Sequence, residues 1–307
     1  MRIKKTECNL CGSNNCKVIY KRKLLNPKGP LNLKDEYLIT EGVIQKPNKI
    51  FKCTDCALMF AQQDKNSGYY ADKYANMVDK EYIKEERGRR EACIKILERI
   101  EKHKKTGNLL EIGCANGFLL DEARRRNWKV YGVEISKWAA GYAREKLNLN
   151  VIEGHLENIA FPDKFFDAIV MLDVLEHLPD PKCILLETGR ILKNDGILYI
   201  SIPNISSAMS RVLGAKWWGI NKFHLFYFSK NTLEKMLNTC GFRVKKYNTH
   251  IRIFSINYWT KRLKVHNYVL YRILDFISKI GNLGTAHLKV NLHDQIETVA
   301  MKTNHYP

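Results

Sequence analysis

Apolar positions along the chain change period in a regular succession. Asn108-Leu109-Leu110 is strand-like, and Phe118-Leu119-Leu120-Asp121-Glu122-Ala123 has helical spacing, with Glu111-Ile112-Gly113-Cys114-Ala115-Asn116-Gly117 between them. Lys129-Val130-Tyr131-Gly132-Val133-Glu134-Ile135 predicts a second strand, Ser136 can N-cap a helix to about Leu147, and Asn150-Val151-Ile152-Glu153-Gly154 predicts a third strand. Asp180-Pro181 is a cap followed by an N1 proline, which predicts a helix over Lys182–Lys193, a turn at Asn194-Asp195-Gly196 and a strand over Ile197–Ile202. Thr232–Cys240 is expected to be helical with Gly241 as its stop, ahead of strands at Phe242–Tyr247 and Glu297–Lys302. Strands alternating with helices predict an α/β, doubly wound sheet that binds ligands at the carboxyl ends of its strands.

The turn after the first strand carries the first chemistry. Gly113 can adopt backbone angles closed to other residues, and the free N–H groups that open the next helix favour an anionic group. A dinucleotide cradle needs G-x-G-x-x-G, and Ala115 and Phe118 occupy its second and third glycine positions, which argues against a pyrophosphate ligand. Glu134 ends the second strand 17 positions after Gly117, where a carboxylate can accept both hydroxyls of a ribose.

Taken together these segments resemble the class I S-adenosylmethionine (SAM)-dependent methyltransferases. Phe165–Pro181, which contains Asp173-Val174-Leu175-Glu176-His177, looks like the family's fourth-strand segment, and Ile191–Ile200 like its fifth. The resemblance implies a Rossmann-like, seven-stranded sheet with the last strand antiparallel. It also implies that Glu111, Gly113, Ala115 and Gly117 meet the methionine end, Glu134 and Ile135 the ribose, and Asp173 the amino group. Many relatives grip the adenine amine with an Asp after a glycine; here His155 follows Gly154, which leaves the Leu156 backbone and Glu157 for that task. His177, after the fourth strand, and His224, in the aromatic segment Trp217–Ser229 that resembles the acceptor side, are the candidate bases. Each has a plainer role open to it, His177 as a turn cap and His224 as a member of an aromatic cluster. Glu176-His177 could also ligate a divalent ion, as the same segment in quinone O-methyltransferases suggests. Deoxysugar C-methyltransferases place a Glu-His pair where this chain has Phe223-His224, and the missing carboxylate favours hydroxyl methylation over carbanion chemistry.

Cysteine spacing adds a second module. Cys8-x-x-Cys11 and Cys53-x-x-Cys56, separated by 41 residues, can present four thiolates to one structural Zn²⁺ with no open position for catalysis. Neither pair opens a helix of a βαβ unit, which counts against redox chemistry, and Cys16 is expected to be a spare thiol. Residues 1–66 are therefore expected to form a small zinc-ribbon-like module, 67–105 a helical connector, and 106–307 the SAM domain with a C-terminal elaboration. A zinc module ahead of a SAM domain resembles bacterial sugar methyltransferases, and Tyr69-Tyr70-Ala71-Asp72-Lys73-Tyr74 fits their tyrosine-rich connector.

The 307 residues carry nine cysteines and a net charge of +19. An odd count of scattered cysteines points to thiols and metal ligands in a reducing compartment, and no apolar run nears the roughly 20 residues of a membrane span, so the expected location is the cytoplasm. Lys and Arg outnumber Asp and Glu by 12 to 5 in residues 1–60 and 11 to 3 in 241–307, against 28 to 24 between them. Basic flanks draw anionic partners or simply decorate a solvated surface. The apolar residues of Tyr258–Ile280 recur at helical spacing beside a cationic face, which suits peripheral membrane contact or, in the favoured reading, packing on the sheet or a subunit. The expected substrate is a small molecule, a nucleotide-sugar or glycan hydroxyl. A quinone or other small aromatic is the second choice. Nucleic acid is a less favoured partner, since the Asn-Pro-Pro-Tyr and paired-cysteine motifs of RNA methylation are absent.

Overall fold

In the computed structural model, three short antiparallel strands form the front of the chain: β1 (Cys16–Lys21), β2 (Lys49–Cys53) and β3 (Met59–Ala61). The structure describes residues 7–21, 47, 49–62, 75, 76, 78–266, 268–280 and 283–303; the tyrosine-rich stretch Tyr69–Tyr74 lies outside them. Helices α1 (Lys80–Lys84) and α2 (Glu86–Ile100) follow. Cys93, Ile96, Leu97 and Ile100 recur on one face of α2 and bury it against the sheet.

The remaining elements run in chain order as β4 (Gly107–Ile112), α3 (Phe118–Arg125), β5 (Trp128–Glu134), α4 (Lys137–Leu147), β6 (Val151–Glu153), β7 (Phe166–Leu172), α5 (Pro181–Ile191) and β8 (Leu192–Pro203). After them come α6 (Ala208–Leu213), β9 (Phe226–Tyr227), α7 (Lys230–Thr239), β10 (Phe242–Asn248), β11 (Arg252–Ser255), α8 (Ile256–His266), α9 (Tyr268–Ile280), β12 (His287–Val290) and β13 (Gln295–Lys302). The seven-stranded sheet has the order β10-β13-β8-β7-β4-β5-β6, with β13 antiparallel to both neighbours and the other pairs parallel.

Side chains alternate across this sheet with period two. Leu109, Ala168 and Val170 join one core with Leu97, Leu120 and Ala143, whereas Leu110, Ile169 and Met171 join the other with Leu185 and Leu233. Burial on both faces is why these strands are almost continuously apolar. The expected caps close their helices: the Ser136 hydroxyl accepts from the Ala139 N–H at 3.3 Å, and Asp180 accepts from Lys182 and Cys183.

Three features depart from the expectation. Asn194-Asp195-Gly196 is not a turn between elements; it lies within β8, whose register against β7 jumps from Phe166↔Leu192 to Ala168↔Ile197. Lys193, held by Asp167 at 2.8 Å, and Asp195, paired with Lys104, anchor that bulge at both sides. Helix α7 begins at Lys230 rather than Thr232, because Ser229 and Thr232 form a reciprocal capping box. The amphipathic stretch Tyr258–Ile280 is divided between two helices, α8 and α9, and no helix of the described residues is long and apolar enough to cross a membrane.

β4 has β5 on one side and β7 on the other, so successive connections leave it in opposite directions. The crevice outside the carboxyl ends of β4 and β7 is the topological switch point where such sheets take ligands.

Candidate functional site

Five residues link the end of β4 to the start of α3. Gly113 and Gly117 have φ of +71° and +81°, and a Cβ on either would lie 2.5 Å from Val174 Cγ2 or 2.6 Å from Leu149 Cδ1. Ala115 donates its N–H to Glu134 Oε2 at 2.7 Å and Ser136 donates to Oε1 at 2.7 Å, so one carboxylate ties the glycine turn to the start of α4. Burial raises the Glu134 carboxyl, against these N–H groups, which pull it down. Ile135 is half-buried beside it. Leu156 is 2% exposed with its side chain in the core, so only its main chain is left to meet a base.

Charge in this crevice is left unbalanced. Glu111 is 4% exposed, its Oε2 has no partner, and burial followed by the nearby Glu134 holds its carboxyl well above the usual range. From α1 and α2, Tyr82 and Arg89 cover the same space. The Arg89 guanidinium stacks 3.5 Å from the Tyr82 ring centroid and 5.2 Å from that of Phe254, and its buried Nε has no partner. Burial, with Glu111 and Glu134 adding to it, pushes the Tyr82 hydroxyl up to about 12. A buried carboxyl and a guanidinium that, among the described residues, form no ion pair with each other's kind fit SAM. Its ammonium and sulfonium suit Glu111, its carboxylate suits Arg89, and its ribose hydroxyls suit the lone pairs left on Glu134. Arg89 and Tyr82 were not among the sequence candidates, because only packing of α2 over the sheet brings them here.

Asp173 follows β7 with φ +53° and accepts from Gln295 Nε2 at 2.7 Å. It opens to solvent, but the crevice walls displace bulk water and push its carboxyl up to about 6, with Arg252 opposing and Asp294 adding. Beyond it lie the two histidines. His177 Nδ1 is 2.9 Å from the Phe223 carbonyl, His224 Nδ1 is 2.8 Å from the Gly219 carbonyl, and the rings meet edge to face with centroids 4.7 Å apart. A carbonyl only accepts, so each Nδ1 carries a proton, and the lone pair of either ring in its neutral form lies on Nε2. Burial lowers His177 to about 4, which keeps it neutral at pH 7. Glu176, 1% exposed, joins the pair with neither carboxylate oxygen partnered.

The four cysteines of the front module converge as their spacing predicts. Cys8 and Cys56 Sγ lie 3.4 Å apart and Cys11 and Cys53 Sγ 3.6 Å, all as free thiols. Sulfurs about 2.3 Å from a tetrahedral Zn²⁺ stand about 3.8 Å from one another, so the set could hold that ion with small adjustment. Burial opposes ionisation of Cys53, but the N–H groups of Cys56 and Asp55 outweigh it and bring the thiol down to about 7. Cys16, raised to about 11 chiefly by burial, is outside the set. This module is not separate from the site. β3 pairs with β9, Ala61 donates its N–H to the Leu225 carbonyl at 2.8 Å, and Leu225 donates to the Glu176 carbonyl at 2.8 Å.

Sheet order, glycine turn and strand-end carboxylate together define the class I SAM-dependent methyltransferase fold. A family model described as a methyltransferase domain matches residues 85–247, and the chain belongs to that family. A Mycolicibacterium smegmatis protein named "Probable S-adenosylmethionine-dependent methyltransferase" is 29% identical over 144 residues, 45% of this chain and 52% of its own length. The ubiquinone biosynthesis O-methyltransferase of Alkalilimnicola ehrlichii is 32% identical over 36% of this chain and 47% of its own. An uncharacterized protein of Methanocaldococcus jannaschii is 33% identical over 56% of this chain and 80% of its own. The chain thus spans about half the length of the first two. Among solved structures, one in the complex of the Haloferax volcanii Trm112 methyltransferase activator with a methyltransferase shares the fold at TM-score 0.50 and 16% identity, over 70% of this chain and 90% of that one.

Proposed function

We propose that the protein methylates a hydroxyl of a sugar, nucleotide-linked or within a surface glycan, with SAM as donor. When bound, SAM supplies an electrophilic methyl on its sulfonium. Arg89, Glu111 and Glu134 hold its ends, and fixing that geometry contributes much of the acceleration. The observation that carries the acceptor reading is the histidine pair. Two imidazoles each have Nδ1–H fixed on a carbonyl, His177 neutral at pH 7, and no carboxylate stands at Phe223 to support a carbanion. His224 takes the hydroxyl proton in this reading, with His177 beside it. Trp218, half-buried and held by Asp294 at 2.7 Å, supplies the aromatic face on which the apolar side of a sugar can lie.

The front cysteines hold a structural Zn²⁺ in the same reading, and metal analysis of the purified protein should find one equivalent, with Cys8, Cys11, Cys53 and Cys56 protected from thiol reagents. Likeness to ubiquinone biosynthesis O-methyltransferases favours a second acceptor, a phenolic hydroxyl. Release of demethylated cofactor in a screen of nucleotide-sugars, quinone precursors and RNA decides among them. Turnover with nucleotide-sugars supports the proposal, and turnover confined to phenols or RNA rejects it.

A further inference from the structure

On the reading that Asp173 meets SAM and Trp218 meets the acceptor, we infer that Asp294 and Gln295 are positioning residues that join the two and pass the filling of one site to the other. They are consecutive, where the chain enters β13 beside the carboxyl end of β8. The Asp294 carbonyl accepts from the Asn204 N–H at 2.8 Å, and Gln295 pairs with Pro203. From this anchored corner the two side chains reach different partners. Gln295 Nε2 donates to Asp173 Oδ1 at 2.7 Å, and the Asp173 N–H is itself fixed on the Ser201 carbonyl at 2.8 Å. Asp294, 1% exposed, accepts from Trp218 Nε1 at 2.7 Å and from both terminal nitrogens of Arg252, Nη2 at 3.1 Å.

Stability alone does not account for these contacts. A buried ion pair often stabilises no more than apolar residues of the same volume, so Arg252 and Asp294 contribute direction instead. Two guanidinium nitrogens fix the plane of the carboxylate, and the fixed carboxylate sets the indole. A carboxylate only accepts, so Gln295 must turn its amide nitrogen to Asp173, and its own oxygen is left buried without a partner among the described residues. That loss is offset where the amide orients a group that binds a ligand. The charges also act on one another. Arg252 opposes the rise in the Asp173 pKa and Asp294 adds to it. With Asp173 neutralised by the cationic end of a ligand, Arg252 is left to Asp294 alone, and Trp218 is held by a more firmly oriented carboxylate.

The link can be tested with SAM and no acceptor, so turnover confined to phenols would remove the sugar reading and leave the link intact. In proton–nitrogen correlation spectra of the isotope-labelled full chain, the Trp218 indole N–H resonance is identified by its absence from Trp218→Phe. Saturating SAM should shift that resonance in the parent, and shift it less in Gln295→Ala, also at saturation. Calorimetry should find SAM binding about threefold or more weaker in Gln295→Ala, with no further loss when the same change is made in Asp173→Asn, because both act through one contact. Asp294→Asn should move the resonance upfield and abolish the shift caused by SAM; should that variant not fold, the parent and Gln295→Ala decide without it. A Trp218 resonance unmoved by SAM in the parent, an equal shift in Gln295→Ala, or effects of Gln295→Ala and Asp173→Asn that simply add would each overturn the link.

Discussion

Asp173 shows how a single group is tuned here. The pKa of Asp173 stands near 6 in the fold against 3.8 for the free side chain, because the crevice walls disfavour its charge. Its folded pKa is the higher one, so the stability it contributes is present below 3.8 and is lost as pH rises toward 6. A cationic ligand reverses that preference. SAM affinity should therefore weaken as pH falls through about 6, and calorimetry across that range on Asp173→Asn should show a flatter profile. A profile as steep in the variant would remove Asp173 from the cofactor site. At the acceptor lip, His224→Ala should lower turnover by about a hundredfold or more with SAM affinity unchanged, and His177→Ala should do less. Steady-state kinetics in the reverse order would move the base to His177. Gly113, Gly117 and Glu134 were legible in the sequence because turn and strand end are local. Arg89 was not, since nothing in Arg87-Gly88-Arg89-Arg90 tells which cation an inter-element contact will strip of partners.

Between elements, two contacts decide how the site is held. Gly88 of α2 passes so close to β11 that a Cβ there would lie 2.2 Å from the Ile253 carbonyl oxygen, and Glu85 binds the Ser255 N–H and hydroxyl at 2.7 and 2.6 Å. These contacts press the Tyr82–Arg89 cover onto the crevice. Gly88→Ala should cost about 1–3 kcal/mol through overpacking, measurable by denaturant unfolding, and weaken SAM binding as well; a stable variant with loose SAM would separate the two effects. The second contact is the β3–β9 pair, which joins the cysteine module to the segment carrying His224. Strand β9 has two residues, too short for any periodicity, so sequence reading divided the chain into modules and missed the strand they share. Cys53→Ser should release zinc and reduce turnover about tenfold or more by misplacing the histidine segment, while SAM still binds. Metal analysis with paired kinetic and binding measurements checks this, and full turnover after zinc loss would show the module to be uncoupled from the site.

Over the whole molecule, the parallel strands were readable because burial on both faces makes them apolar from end to end, and only the antiparallel direction of β13 rested on the family resemblance. What stayed hidden was assembly: a cover built from α1, α2 and β11, and a front sheet completed by β9. The molecule is a SAM fold with its cofactor crevice at the switch point of the sheet, closed by the connector on one side and bordered by the cysteine module on the other. Calorimetric titration with SAM and its demethylated product, on the parent and Glu134→Ala, tests that most directly. Both ligands should bind the parent, and the variant should bind them about ten- to hundredfold more weakly, as expected for loss of hydrogen bonds to a charged acceptor worth about 1.5–3 kcal/mol. Equal affinity in parent and variant, or preference for a nicotinamide dinucleotide, would contradict it.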